Sequence, residues 1–276
     1  MRIGPPTFGW ANIFSLEQLQ KRYQDGKKGD KQDYLAKFLE IKEKNPELVN
    51  DNVVILWLLS NVLAGSDSTA YTMCAAIYYV LKHPKVHSKL VAELRGANLA
   101  LPAKWKDIQG LKYLEAVMRE TMRVHPGVGL ILERVVPKGG LSLPDGRFVP
   151  EGVIVGMNPW VINKNEQVFG ANPDDFIPER WLPAAGESDE AYEARFSKMK
   201  STDFTFGAGS RTCLGRYLSQ LESYKLIATL FSTFDVSDSI LVELIFREPW
   251  LMYYADGASQ LRSRMDDSEL MVRETT

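Results

Sequence analysis

The sequence is poor in the residues from which disulfide frameworks and polyhistidine metal sites are built. It has 276 residues but only two cysteines, Cys74 and Cys213, and three histidines. Two cysteines in a chain of this length do not make a disulfide framework, which favours a reducing compartment. His83 and His87 have helical spacing but lie on either side of Pro84, so we expect both to be structural or solvated rather than metal ligands.

The chain also lacks a large net charge and a long apolar run. Its formal net charge is −2 at pH 7, so nothing favours nucleic acid or an anionic membrane surface as a partner. The longest apolar run, from Val53 to Ala64, is interrupted by Ser60 and Asn61 and is shorter than the ~20 residues of a membrane span. The N-terminal residues do not have the pattern of a signal peptide. As written, the chain is expected to be cytoplasmic, or at most peripheral to a membrane.

Helical patterns dominate what the sequence does contain. Its 45% hydrophobic and 25% charged residues are typical of a globular protein. Apolar spacing and capping residues predict helices over Ser15–Gln24, Asp33–Lys44, Asn50–Lys82, His87–Arg95, Leu111–Val124 and after Cys213. The helix over Asn50–Lys82 would be roughly 50 Å long. Because its VVILWLLSNVLA segment is apolar on nearly all sides, this helix should run through the core. The helix after Cys213 is predicted to have an apolar stripe at Leu214, Tyr217, Leu218, Leu221 and Ala228.

Other patterns interrupt the helices. From Leu130 to Trp160 the sequence predicts short strands around an Asp145-Gly146 turn. The segment Ala184–Ser201 is acidic, small and polar, and predicts a solvated insertion. A final strand pair is expected at Val242–Tyr254, and residues 256–276 are expected to be a disordered tail. The fold class is therefore mainly α with a small β element.

The segment FTFGAGSRTCLGR, residues 204–216, carries the strongest chemical signal. Gly207 and Gly209 allow backbone conformations closed to other residues and the close approach of a ligand. Because a helix is predicted directly afterwards, Cys213 would lie at its N-terminal end, where the helix dipole and Arg211 favour a thiolate. A thiolate suits iron coordination or nucleophilic attack, so the segment alone also allows a redox-active or nucleophilic cysteine. A cysteine hydrolase needs a histidine base, for which there is no local signature. Cys74, inside the long helix, is expected to be inert.

The cysteine segment also matches a family signature. Phe206, Gly209, Arg211, Cys213 and Gly215 fit the Phe-x-x-Gly-x-Arg-x-Cys-x-Gly haem signature of the cytochrome P450 family at every specified position. The resemblance implies haem b held without covalent attachment, with the Cys213 thiolate as axial ligand of the iron and Arg211 near a haem propionate. In this family the thiolate pushes electron density onto the iron, which favours cleavage of the O–O bond.

A second motif, AGSDST at Ala64–Thr69, lies in the middle of the long predicted helix. Its glycine, serines and aspartate are poor residues for a helix interior. The motif is similar to the family's Ala-Gly-x-Asp-Thr-Thr oxygen-binding groove, which implies that Asp67 and Ser68 deliver protons to bound oxygen, with Thr69 beside them in the catalytic set. Because Ser68 lacks the methyl that restricts a threonine rotamer, we expect slower or leakier oxygen activation. A surface-facing polar turn is the alternative.

A third set of motifs contains one glutamate and three arginines. Alone, Glu120 and Arg123 would be a solvated pair on a helix. In the family, Glu-x-x-Arg and the arginine of Pro-Glu-Arg form a structural triad that braces the cysteine loop, and Glu120, Arg123 and Arg180 match those positions. Bidentate guanidinium–carboxylate bonds suit such bracing. Arg134 resembles a propionate-contacting arginine of the family, and a solvated arginine at a strand end is the alternative.

The resemblance extends from roughly Gln32 to Tyr254 and looks eukaryotic, in a fungal-like form. It implies a partial cytochrome P450 fold that contains the long central helix, the Glu-x-x-Arg helix, the cysteine haem loop and the helix that follows. Residues 1–255 are expected to be a single C-terminal part of the haem-thiolate monooxygenase domain, without its N-terminal half.

The function implied by the resemblance is a monooxygenase that inserts one atom of O2 into a hydrophobic small molecule. Electrons would come from NADPH through a reductase partner, at the cytosolic face of the endoplasmic reticulum membrane, and no nucleic-acid partner is expected. The alternative is a catalytically silent remnant, or a non-enzymatic interaction protein on the same scaffold. The amount of exposed apolar surface would distinguish the monooxygenase from the silent remnant, because a half-domain should bind hydrophobic dyes strongly.

Overall fold

The computed structural model describes residues 9–25, 33–236 and 272–274 of the chain. Its contacts divide the chain into two units, Met1–Ser68 and Thr69–Thr276. The helices are α1 (Gly9–Gln24), α2 (Tyr34–Lys44), α3 (Asp51–Lys82), α4 (Pro84–Gly96), α5 (Trp105–Ile108), α6 (Lys112–Val124), α7 (Pro159–Ile162), α8 (Glu166–Phe169), α9 (Asp189–Thr202) and α10 (Arg216–Thr233). The strands are β1 (Leu132–Val135), β2 (Leu141–Ser142), β3 (Phe148–Val149), β4 (Ile154–Met157), β5 (Phe234–Val236) and β6 (Val272–Glu274). Single 3-10 turns lie at Pro178–Trp181 and Gly209–Arg211. The predicted class, mainly α with a small β element, is confirmed.

The first unit is a small helical cluster whose helix starts follow from its capping residues. The carboxylate of Asp33 accepts a hydrogen bond from Ala36 N at 2.9 Å and caps α2. The side chain of Asn50 accepts one from Val53 N at 3.2 Å at the start of α3. Such caps satisfy amides that have no partner inside a helix. The core of this unit consists of Leu19, Leu35, Val49 and Val54.

The first half of α3 is less buried than the sequence predicted. Val54 is fully buried, whereas Leu56 is 58% exposed and Ala64 is exposed. The prediction that the VVILWLLSNVLA segment runs through the core is therefore wrong for this chain. A helix that is apolar all round needs neighbours on every side, and within the first unit α1 and α2 pack against one side only.

By length and composition, α3 is also apolar enough to cross a membrane. It is the helix that meets this criterion among the described residues, and 11% of its most apolar stretch is buried. The sequence argument considered only the run from Val53 to Ala64 and missed this. The finding is weak evidence for a membrane span, because the core helices of soluble proteins meet the same criterion.

The second unit has the main hydrophobic core. It is formed by the C-terminal half of α3 with α4, α6 and α10, and its fully buried members include Ala76, Val80, Leu90, Leu94, Leu114, Met118, Ile227 and Phe231. On α6, Leu114, Met118 and Met122 are all buried, and Leu111 before its first turn is half-buried. Burial of this kind contributes roughly 1.5–3 kcal/mol for each large aliphatic or aromatic side chain.

The predicted stripe of α10 is wrong. Its buried residues are Ser223, Tyr224, Ile227, Ala228 and Phe231, whereas Leu214 is 100% exposed and Tyr217 is 69% exposed. Of the predicted residues only Ala228 is buried. The helix has apolar side chains on two faces, and the face that packs into the core is the one centred on Ile227. The apolar residues near its start are left at the surface beside Cys213.

The strands pair as short antiparallel ribbons, as predicted for residues 130–160. In one of them β1 pairs with β4, with Leu132 opposite Met157. In another, β2 pairs with β3 around the predicted turn, where Gly146 has a φ of 87° and Arg147 N donates to the Asp145 carboxylate. β5 pairs with β6. The strand pair predicted at 242–254 lies outside the described residues, as does most of 256–276.

Most of the segment Ala184–Ser201 is exposed, as the predicted solvated insertion required, but it also contains a docked helix that was not predicted. This helix, α9, is capped by Ser188 and buries Met199. Arg195 explains why the helix docks: its guanidinium binds the carboxylate of Glu187 and donates to the carbonyls of Arg180 and Leu182. Because these contacts are polar, hydrophobic periodicity could not reveal them.

Candidate functional site

The cysteine loop, residues 204–215, folds back on itself around two glycines. Gly207 and Gly209 both have a φ of 66°, a conformation that glycine adopts without steric cost and other residues rarely adopt. Cys213 N donates to Phe206 O at 2.9 Å and closes the loop. Helix α10 begins at Arg216 with Gly215 at its N-cap, so Cys213 lies two residues before the cap rather than at the first turn.

The surroundings of Cys213 fit a large flat ligand that binds through sulfur. The cysteine is exposed, and Leu214, Tyr217 and Leu218 beside it are exposed as well. A Cβ at Gly215 would lie 3.9 Å from Cys213 Sγ, in ordinary van der Waals contact with the sulfur. One soft sulfur donor with apolar neighbours matches the haem that the signature predicts. Arg211, the predicted propionate contact, is exposed on the same loop.

Arg134, the other predicted propionate contact, lies on a strand that packs against this loop. A Cβ at Gly207 would approach Leu132 Cδ1 of β1 to 3.4 Å. Alternate residues of a strand share a face, so Arg134 projects to the same side of β1 as Leu132. Arg134 is exposed, and its guanidinium donates to the carbonyl of Glu133. Its role toward a propionate stays a prediction.

The structure brings the three triad residues together around one buried carboxylate. Glu120 is fully buried on α6. One of its oxygens accepts hydrogen bonds from Arg123 Nη2, Arg180 Nε and Ile177 N, each at 2.8 Å. The other accepts from Arg123 Nε at 2.8 Å and from Trp181 Nε1 at 2.9 Å. A buried carboxylate is tolerated because its oxygens are satisfied in this way.

Arg123 uses all five of its N–H groups. Two of them hold Glu120, and the other three donate to the carbonyls of Asn163, Pro173 and Asp175 at 2.9, 2.5 and 3.0 Å. Arg180 donates further to the carbonyls of Phe169 and Asn172. The two guanidinium groups therefore tie α6 to the segment 163–181, in a geometry that a lysine could not reproduce.

Sequence reasoning missed two residues that complete this network. Trp181 donates its indole N–H to Glu120, and Asn163 connects Arg123 to the cysteine loop, as its side chain binds Phe204 N and Thr205 Oγ1. The signal for Trp181 was available, since a buried indole N–H needs an acceptor. No sequence signal singled out Asn163.

A half-buried acid, Asp203, directly precedes the cysteine loop. The carboxylate of Asp203 accepts hydrogen bonds from Thr205 Oγ1 at 2.5 Å and Thr205 N at 3.0 Å. Burial raises the pKa of Asp203 above its ordinary value, and the bonds from Thr205 oppose that shift. The bonds fix the backbone turn from which the loop departs.

The residues predicted to deliver protons to oxygen lie on α3. Ala64 to Asp67 are exposed, and Ser68 is half-buried and donates its hydroxyl to Ala64 O at 2.7 Å. Ser68 ends the first unit, and Thr69 begins the second. Thr69 is buried and donates to Ser219 Oγ of α10 at 3.2 Å. The catalytic roles of Asp67, Ser68 and Thr69 stay predictions.

The histidines contact aromatic rings or backbone. His83 Nδ1 lies 2.7 Å from Tyr79 O, and the ring of His87 lies 5.6 Å from that of Phe231. In residues 9–25 and 33–236 the structure has no cluster of three or more His, Cys, Asp or Glu side chains arranged to hold a metal ion. Coordination by a single cysteine, as in haem, does not require such a cluster.

His125, directly after α6, is half-buried among aromatic rings. Its ring lies 4.6 Å from that of Tyr71 and 5.4 Å from that of Trp160. Burial, followed by the charge of Lys164, lowers the pKa of His125 to about 4 from its ordinary 6.5. The neutral imidazole therefore stabilises the fold fully above pH 6.5.

Acidification is expected to remove that stabilisation. As the pH falls from 6.5 to 4, protonation favours the unfolded chain, and roughly 3 kcal/mol of unfolding free energy should be lost. Replacement by phenylalanine keeps a ring in the site and abolishes this loss. The measurement is urea denaturation of both chains between pH 4 and 7.5. The difference between the two chains cancels other titrating groups such as Asp203, and parallel curves would contradict a neutral His125 in the folded protein.

The chain is similar in sequence to known proteins. A family model described as Cytochrome P450 matches residues 13–251. The chain is 44% identical to cytochrome P450 monooxygenase cfoH of Aspergillus candidus over 85% of the chain and 44% of that protein. It is 36% identical to cytochrome P450 monooxygenase cicH of Emericella nidulans, over 83% of the chain and 44% of the relative. It is 35% identical to cytochrome P450 monooxygenase mfmA of Annulohypoxylon moriforme, over 89% of the chain and 46% of that protein. The chain spans less than half the length of these relatives.

Proposed function

Because the chain belongs to the cytochrome P450 family, we propose that it carries the iron-binding part of a haem-dependent monooxygenase that inserts one atom of O2 into a hydrophobic small molecule. The observation that supports this most strongly is the exposed Cys213, held in a loop whose base is tied to the buried Glu120–Arg123–Arg180 network. The matched relatives are named monooxygenases.

Each residue has a defined part in this proposal. Cys213 would hold the haem iron through its sulfur, and the chemistry that a bound haem would supply is activation of O2. Leu214 and Tyr217 would cover apolar haem surface that is otherwise exposed to water. Arg211 and Arg134 would neutralise the propionates. Asp67 and Ser68 would move protons toward the oxygen site.

The partners of the whole protein follow from the same proposal. Electrons would reach the iron from NADPH through a reductase, and the substrate would be an apolar small molecule. Membrane association at the cytosolic face of the endoplasmic reticulum is proposed on family grounds, and the apolar α3 does not decide it.

The proposal is tested by an absorption spectrum of the purified chain with haem added, reduced and exposed to carbon monoxide. A strongly red-shifted Soret band is expected, because a thiolate donates electron density to the iron. The band should be lost in Cys213→Ser and retained in Cys74→Ser, which changes a half-buried cysteine of α3.

Two outcomes would count against the proposal for this chain. If no red-shifted band forms, the chain alone does not hold haem through a thiolate, and the catalytically silent alternative is favoured. If the band survives in Cys213→Ser, another residue is the ligand and the assignment of the cysteine loop is wrong. A hydrophobic dye titration of the same sample reports whether the apolar surface beside Cys213 becomes covered on haem binding.

A further inference from the structure

Asn163 is fully buried between the arginine network and the cysteine loop. On one side its backbone carbonyl accepts a hydrogen bond from Arg123 Nη1 at 2.9 Å. On the other side, its Oδ1 accepts from Phe204 N at 2.9 Å and its Nδ2 donates to Thr205 Oγ1 at 3.3 Å. This one residue therefore joins the arginine network to the first two residues of the loop.

The triad itself does not reach the loop. The side-chain hydrogen bonds of Glu120, Arg123 and Arg180 end within their own set or on residues 163–181. Across the described ranges 9–25 and 33–236, none of them ends on residues 204–215. A second link to α6 comes from Thr205 Oγ1, which lies 3.2 Å from Met122 O.

Asparagine suits the position because it offers an acceptor and a donor from one short, uncharged side chain. The acceptor satisfies Phe204 N, and the donor meets a hydroxyl whose proton is directed at Asp203 Oδ1, 2.5 Å away. Aspartate would lack the donor and would add a second carboxylate near Asp203. Leucine would leave Phe204 N without a partner, which is costly where water is excluded.

We propose that Asn163 is a positioning residue that transmits the rigidity of the arginine network to the cysteine loop and so fixes the sulfur of Cys213 relative to the iron. The route runs from Asn163 to Phe204 and Thr205, then to Phe206, whose carbonyl accepts from Cys213 N at 2.9 Å. The part that concerns iron rests on the proposed function, whereas the part that concerns the loop does not.

The loop is tested without haem by amide hydrogen exchange in Asn163→Ala. Loss of one hydrogen bond corresponds to a change of up to about tenfold in a local opening equilibrium. We expect the amides of both Phe204 and Cys213 to exchange about tenfold faster, while amides of α6 stay unchanged. A merely local role would move Phe204 alone and would overturn the proposal. Asn165→Ala is the matched control, since its Oδ1 also accepts a backbone N–H, from Gln167 at 2.9 Å, but has no bond to the loop.

A second pair of variants keeps the test decisive if Asn163→Ala does not fold. Thr205→Val removes the hydroxyl that Asn163 binds, and Thr205→Ser retains it. We expect faster exchange at Cys213 in the valine variant and exchange like that of the unchanged chain in the serine variant. Equal behaviour of the two would overturn the proposed route.

The link from the loop to the iron is tested by the absorption spectrum of the haem-loaded chains, reduced and exposed to carbon monoxide. Asn163→Ala is expected to bind haem but to show a larger fraction of the shorter-wavelength Soret band that marks loss of the thiolate ligand. In Asn165→Ala that fraction should stay as in the unchanged chain. An unchanged fraction in Asn163→Ala would overturn the link from the loop to the iron. If the unchanged chain forms no red-shifted band, the proposed function fails, and the exchange data still decide whether Asn163 positions the loop.

Discussion

Glu120→Gln is expected to lower the free energy of unfolding by about 3–5 kcal/mol, because it removes one charge from a fully buried ion-pair network and leaves two guanidinium groups uncompensated. The new amide nitrogen would also face N–H donors, since each oxygen of Glu120 accepts at least two hydrogen bonds. The measurement is urea denaturation followed by circular dichroism near pH 7.

The matched control for this substitution lies on the same helix. Glu115 pairs with Arg119 at 2.7 Å, but its side chain is 44% exposed. Exposed pairs four residues apart on a helix contribute about 0.3–0.5 kcal/mol. Glu115→Gln should therefore change the unfolding free energy by no more than that. Similar losses from the two variants would mean that burial does not set the energy of the Glu120 network.

The elements predicted well are those whose ends are fixed by local chemistry. Helix α2 begins after Asp33 and α3 after Asn50, and both caps bind amides of their own first turn. The Asp145-Gly146 turn similarly depends on its own residues. Such features depend on a few neighbouring positions, so a single sequence contains the information needed to predict them.

The elements predicted poorly depend on partners distant in sequence. Helix α9 has few buried apolar residues, and it docks because Arg195 binds the carbonyls of Arg180 and Leu182. Carbonyl groups occur at every residue, so their positions in space leave no trace in side-chain periodicity. The same reasoning applies to α10, where two apolar faces compete and tertiary contacts select the one centred on Ile227.

The candidate site also contains residues that could be predicted from the sequence and one that could not. The resemblance named Glu120, Arg123 and Arg180 by motif, and the structure brings them into one network. It did not name Asn163, whose contribution consists of two side-chain bonds to residues about forty positions away. Charged pairs in a motif can be identified by type, whereas a buried amide is identified only from its partners.

Trp181→Ala is expected to cost about 3–5 kcal/mol of unfolding free energy, because it removes a large, almost fully buried side chain. Trp181 contacts two different structures. Its indole N–H donates to Glu120 at 2.9 Å, and its ring lies 6.3 Å from Phe196 of α9. The substitution should therefore weaken both the buried ion-pair network and the docking of α9.

Trp181→Phe separates these two contributions. Phenylalanine keeps most of the ring packing against Phe196 but lacks the N–H, so the loss should fall to about 1.5–3 kcal/mol, as for a hydrogen bond to a charged group. Trp160→Phe is the control, since the Trp160 ring packs on His125 in the described structure without a bond to a carboxylate, and it should cost less than Trp181→Phe. Amide exchange in α9 should increase in Trp181→Ala and remain slow in Trp181→Phe. If exchange in α9 is unaffected by both, then Arg195 rather than Trp181 holds the helix in place.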